Sequence, residues 1–209
     1  MVNPNGPQPW TVSSSFGSTS TVTAWGGQAP ELLPLLKGEH VSEWFQLQAR
    51  IKRNYVWLDV NGPGKPKIMG EPWYMPDGVT DVWSFITDWR PEELPFPVWL
   101  APSNGGKTYG DMLWTGGMEL KVVSTRFIEA LRAAEVTGYR TFDVDVRDHT
   151  GSPVEGYTGF ATDPSPGSEI QNFRGQTGQN FVFIATQRVV DALHDHGADQ
   201  LDISPYTPG

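Results

Sequence analysis

"VVSTRFIEALRAAEVTGYRTFDVDV", residues 122–146, decides the reading of the fold. Val122–Val123 is a short apolar run. Ser124 follows where a helix N-cap belongs, because its hydroxyl can accept from an unpaired amide of the first turn. Phe127, Leu131 and Ala134 recur at i, i+4 and i+7 with Ile128 beside them, which gives one apolar face to a helix over about 125–135. Gly138 supplies the turn beyond the helix. "FDVDVRD" alternates, so the pattern predicts a strand over 141–147 with Val144 and Val146 facing in. Asp143, Asp145 and Arg147 then face out. "DHTG" places Asp148 first and Gly151 fourth, the pattern of a type I turn. "VEGYTGFAT" returns as the hairpin partner.

"FIATQRVVDALHDHGADQLDIS", residues 183–204, says much the same again. "FVFIA" reads as a buried strand over 181–185, and Thr186 stands at the second N-cap. Val189, Val190 and Leu193 form the apolar face of a helix over 187–196. Gly197 ends it, and "QLDIS" is the last strand. A shift of 62 residues (186 − 124) lays Ser124 on Thr186, Arg126 on Arg188, Glu129 on Asp191, and Ala130–Leu131 on Ala192–Leu193. The expected fold is α+β, a single mixed sheet braced by two short helices from this duplicated strand–helix–strand unit. Burial of each large apolar side chain contributes about 1.5–3 kcal/mol, so the repeat has a structural explanation before any functional one.

Working toward the N-terminus, the composition changes. All nine Trp lie between Trp10 and Trp114. The 23 Gly and 18 Pro restrict helix length throughout. Residues 1–28 are Ser, Thr, Gly and Pro with no charge, and ordering their backbone would cost about 1–2 kcal/mol per residue. They are expected to be an adhesive extension anchored by Trp10, Phe16 and Trp25, with 29–209 as a single α+β domain.

Charge and residue usage exclude several functions. A net charge of −9 disfavours partners that are nucleic-acid backbones or anionic membranes. No apolar run approaches the roughly 20 residues needed to span a bilayer. The chain has no Cys, hence no thiolate ligand or thiol nucleophile. No apolar leader follows Met1, so a cytoplasmic location is expected, with a virion-associated one as the alternative. Residues 119–209 carry 13 acids against 7 bases, net −6, and residues 1–118 carry 11 against 8. Another protein is the expected partner, met through an acidic surface at Asp143, Asp145 and Asp148.

The motifs that suggest chemistry each lack a required part. "APSNGGKT", residues 101–108, has Ala101 where a phosphate loop needs its first Gly, and "YGDMLWTGG" after it is a poor helix. His194 and His196 of "HDH" point to nearly opposite sides of a helix and cannot share a metal ion there. In "DVDVRD" Arg147 sits where a calcium loop needs an oxygen ligand. His40 and His149 have no nucleophile or carboxylate at a recognisable spacing. The residues therefore predict no catalytic site, no metal, no cofactor and no enzymatic activity.

Over about residues 118–204, "VVSTRFIEALRAAEVTGYRTFDVDVRDHTGSPVEGY" with "FIATQRVVDALHDHGADQLDIS" resembles a bacterial immunity-protein family encoded beside polymorphic toxins, the immunity protein eleven type. The shared features are an apolar strand, S-x-R, a short helix ending in a Gly turn, an alternating strand, a Gly hairpin and a second such unit. The resemblance implies a small α+β protein that binds another protein, as an immunity-type inhibitor of a toxin, and catalyses nothing. The second unit lacks the further Gly expected two or three residues after Gly197. The uncharged extension and the Trp/Pro-rich half point to an alternative: a phage or virion-associated accessory protein that docks on a larger assembly through residues 1–28.

Overall fold

The computed structural model describes residues 43–62, 65–66, 74, 77–94, 97–116, 120–165, 167–173 and 181–207. They belong to one compact unit, Ser42–Gly209. The extension over 1–28 and its expected boundary lie outside the described residues. In chain order the elements are β1 (Trp44–Gln48), β2 (Leu58–Gly62), β3 (Lys65–Pro66), α1 (Val82–Thr87), β4 (Val98–Pro102), β5 (Met112–Leu113), β6 (Lys121–Ser124) and α2 (Thr125–Ala133). There follow β7 (Tyr139–Phe142), β8 (Val144–Val146), β9 (Tyr157–Thr162), β10 (Ile170–Asn172), β11 (Phe183–Thr186), α3 (Gln187–Asp195) and β12 (Asp202–Tyr206).

The expectation of a single sheet braced by two helices is wrong. The strands form three sheets, ordered β5-β6-β9-β7, β10-β11-β1-β12 and β3-β2-β4-β8. Alternation along a strand tells which face is buried, but it carries no information about which strand lies alongside. Each copy of the strand–helix–strand unit has a sheet of its own.

The two sheets of the repeat match residue for residue. In the first, Met112 lies opposite Val123, Ser124 opposite Tyr157 and Thr141 opposite Phe160. In the second, Ile170 lies opposite Ala185, Thr186 opposite Trp44 and Ile203 opposite Leu47. The helix starts match too: Thr125 N donates to Gly156 O at 2.8 Å, and Gln187 N to Glu43 O at 3.1 Å. The third strand of each sheet is supplied from outside the repeat, β9 in one and β1 in the other.

The turn after each helix leans on the other copy. Asp111 N donates to Gln200 O at 3.1 Å, while Gly138 lies against Ser168 and Ile170. Gly138 has φ +93°, and a Cβ there would meet the Ser168 Cβ at 2.7 Å, so only glycine fits without a shift. Phe127, Phe160 and Phe183 form one cluster between the copies, with ring centroids 5.5 to 6.4 Å apart. Leu131, Val189 and Leu193 from the two helices join that core.

The third sheet covers the other face of the first. Leu58, Val98 and Leu100 from β2 and β4 bury against Val122 and Phe142. The strand predicted over 141–147 is divided at Asp143: β7 pairs with β9, whereas β8 pairs parallel with β4. One run of chain thus serves two sheets, and the switch opens the surface described next.

Candidate functional site

The polar residues of the S-x-R motif are used inside the fold. Asp111 is completely buried at the foot of β5. It accepts from Ser124 Oγ at 2.7 Å, from Arg126 Nη2 at 2.8 and 3.0 Å, from Arg126 Nε at 3.1 Å and from Gln200 N at 2.9 Å. Ser124 Oγ also accepts from Phe127 N at 3.1 Å, the cap read from the sequence. In the second copy Glu169 holds Arg188 Nη1 at 2.6 and 2.7 Å, and Arg188 Nη2 reaches Ala134 O. Neither acid is visible in the motif, because each sits on the far side of a hairpin.

The solvent face of β2–β4–β8 is different in character. Val98 and Leu100 point into the core, so Trp99 between them points out and is 39% exposed. Trp99 lies opposite Asp145 in the parallel ladder, and its indole N–H donates to the Asp145 carboxylate. Arg147 Nη2 pairs with the same carboxylate at 2.6 Å, and its guanidinium carbon lies 5.5 Å from the Trp99 ring centroid. Asp145 is consequently held below the usual carboxylate range, chiefly by Arg147 and secondly by Trp99. Arg147 Nη1 donates to Gly151 O at 3.2 Å, which ties the group to the hairpin turn.

The three acids singled out in the sequence have three fates. Asp145 is clasped by Arg147 and Trp99. Asp148 is consumed by its own turn, accepting from Thr150 N, Thr150 Oγ1 and Ser152 N at 2.7 to 2.9 Å, and those bonds lower its pKa. Asp143 is exposed at the sheet switch, and Glu155 is exposed across from it. Between them lies an open groove of about 450 Å³, walled by β8 on one side and residues 153–158 on the other. At its end Tyr157 donates to Gly110 O at 3.0 Å, and burial, helped by Asp111 and Tyr109, pushes its phenol up to about 12. The sequence reading missed Trp99 and Glu155. The alternation of "VWL" carried a signal for Trp99, since it sets a large aromatic on the outward side of a strand.

The remaining motifs take structural places. After Pro102 the "APSNGGKT" segment packs on the chain at 54–56: Lys107 N donates to Asn54 O at 2.9 Å, and a Cβ on Gly106 would meet Tyr55 O at 2.0 Å. His149 Nε2 lies 2.9 Å from Gly106 O. His196 Nδ1 lies 2.9 Å from Ala192 O at the end of α3. Among the described residues no three His, Asp or Glu side chains converge as a metal site. Trp10, Phe16 and Trp25 are outside the described residues.

No family model matches the chain, and no curated protein matches it in sequence. Ser124 and Arg126, the polar residues of the S-x-R motif, are both built into the Asp111 node.

Proposed function

We propose that the protein is a non-catalytic, protein-binding inhibitor of the immunity type, which meets its toxin through the outer face of β2–β4–β8. The observation that carries this reading is Trp99, a large aromatic left exposed at the middle of a sheet and held from the β8 side, by Asp145 at its indole N–H and by Arg147 near its ring. Trp and Arg dominate the energetics of protein interfaces, and a side chain already held in place loses little entropy when a partner covers it. Acidic residues at Asp59, Asp143 and Glu155 surround it and are exposed, which suits a basic partner and fast, salt-sensitive association. The Asp111 node supports the scaffold role of the S-x-R motif, leaving recognition to the surface.

The test is co-expression with the product of the neighbouring gene, which this reading expects to carry a toxin domain. The expected outcome is restored growth and a stoichiometric complex by sedimentation. Trp99→Ala should weaken that complex by about 30-fold, the equivalent of a 2 kcal/mol interface anchor. A toxin that is neither bound nor neutralised overturns the inhibitor reading. If the chain instead sediments with assembled virus particles, the accessory-protein reading replaces it.

A further inference from the structure

We propose that the opening between β8 and the returning strand is a socket for one cationic side chain, Lys or Arg, from a protein partner; this rests on the protein-binding reading above. The opening is a built-in gap in the hairpin ladder. Phe142 still faces Gly159, and Arg147 still bridges Pro153. Between those two points four residues, 143–146, oppose five, 154–158. Val154 N reaches Val146 O at 2.8 Å, which closes the far end.

The parallel pairing fixes where the backbone groups point. Val98 N donates to Asp143 O at 3.0 Å and Arg147 N to Leu100 O at 2.9 Å, so the alternate positions along β8 turn toward β4. The amide and carbonyl of Val144, between them, turn away from β4 and toward the gap. This is a short stretch of free sheet edge enclosed within the protein surface.

The rim determines what fits. Asp143 and Glu155 stand exposed on opposite sides, neither in a side-chain hydrogen bond or ion pair among the described contacts; Glu155 feels only the more distant charge of Arg147, which is paired with Asp145. Counting the groove's own residues, three carboxylates oppose one guanidinium, net −2. Lys and Arg offer three and five donors and no acceptor, which matches two carboxylates and a carbonyl. Their aliphatic stems can lie along Val144 and Val154, both half-buried in the walls. An acidic or neutral polar side chain finds no comparable set of partners there. The groove opens beside Trp99, so a basic residue in the socket brings its neighbours onto the exposed indole.

The experiment selects random dodecapeptides displayed on phage against the full chain, then measures the enriched sequences as synthetic peptides. The enriched set should share a Lys or Arg next to an aromatic or aliphatic residue. Asp143→Lys/Glu155→Lys should weaken binding at least tenfold, and a charge reversal elsewhere, Glu129→Lys on the exposed side of α2, should leave it unchanged. Melting curves of each variant separate lost binding from lost fold, and Asp143→Asn/Glu155→Gln gives a milder pair if the reversals fail to fold. Enrichment of uncharged or acidic peptides, enrichment of nothing, or equal loss in the Glu129→Lys control overturns the socket. A toxin complex that forms normally with the Asp143/Glu155 variants overturns the socket and spares the inhibitor reading. Peptide capture at the socket without any toxin complex does the reverse.

Discussion

Ser124 and Thr186 occupy the same place in two copies of one unit, yet the chain asks different things of them. Ser124 caps α2 and donates to a buried carboxylate. Thr186 stands before α3 with no capping bond, and its hydroxyl is buried without a partner. Their acids differ likewise: Asp111 is sealed from water and ties in Gln200, whereas the Glu169 side chain is 26% exposed and the Arg188 side chain 53%. One strand position even exchanges chemistry, with a fully buried Lys121 where the second copy has Phe183. The backbone register is nonetheless the same in both. Pairing sets the geometry, and the side-chain node adds stability only where it joins segments that would otherwise part.

The largest expected effect sets the two acids against each other. Asp111→Ala leaves the Arg126 guanidinium, the Ser124 hydroxyl and the Gln200 amide without their acceptor, and should cost about 3 kcal/mol. Glu169→Ala removes a solvent-screened pair and should cost under about 1 kcal/mol. Urea unfolding of the two variants decides it; equal losses would abolish the asymmetry. A smaller effect contrasts the caps. Ser124→Ala should cost about 1–2 kcal/mol. Thr186→Val, which replaces an unpaired buried hydroxyl by a methyl, should be neutral or stabilise by up to about 1 kcal/mol. A Thr186→Val protein as damaged as Ser124→Ala would mean that the two positions cap alike.

The smallest effect concerns what only the first copy has, the continuation of β7 into β8 and its clasp. The folded Asp145 carboxyl lies below its unfolded value, so the clasp contributes fully above the usual carboxylate range and is lost as pH falls through the folded value. The Trp99 indole N–H resonance should therefore stay constant from neutral pH down to about pH 4 and move only below it. Asp145→Asn should remove that transition. A midpoint at or above pH 4 would show that Arg147 does not hold the carboxylate.

Much of the repeat was legible because its signals are local. The helix-start positions at Ser124 and Thr186, the apolar spacing through Leu131 and Leu193, and the turns at Gly138 and Gly197 lie, in each copy, within fourteen residues of one another, although only Ser124 makes the capping bond that the sequence suggested for both. The three-sheet arrangement left no such mark. Trp44–Gln48 reads as an ordinary short strand, and nothing in it states that it belongs beside residues 183–186. Asp111 and Glu169 were invisible for the same reason: each sits just before a two- or three-residue strand and meets its Arg only across a hairpin. The acidic surface was half legible. Alternation set Asp143 and Asp145 outward, but it could not show that Arg147 and Trp99 would claim one of them while Thr150 and Ser152 claimed Asp148.

The borrowed third strands give the two sheets different histories on the ribosome. In the first, Ser124 meets Tyr157, 33 residues later, and every partner has been synthesised once residue 162 has emerged. In the second, Trp44 waits for Thr186 and Tyr206, 142 and 162 residues downstream. The earliest described strand to be made is therefore among the last to find its neighbours. Closing so long a loop costs entropy before any contact offsets it, and such distant pairing slows folding. Until β12 arrives, Leu47 and its strand remain an unfilled edge, and the nascent chain must carry it exposed.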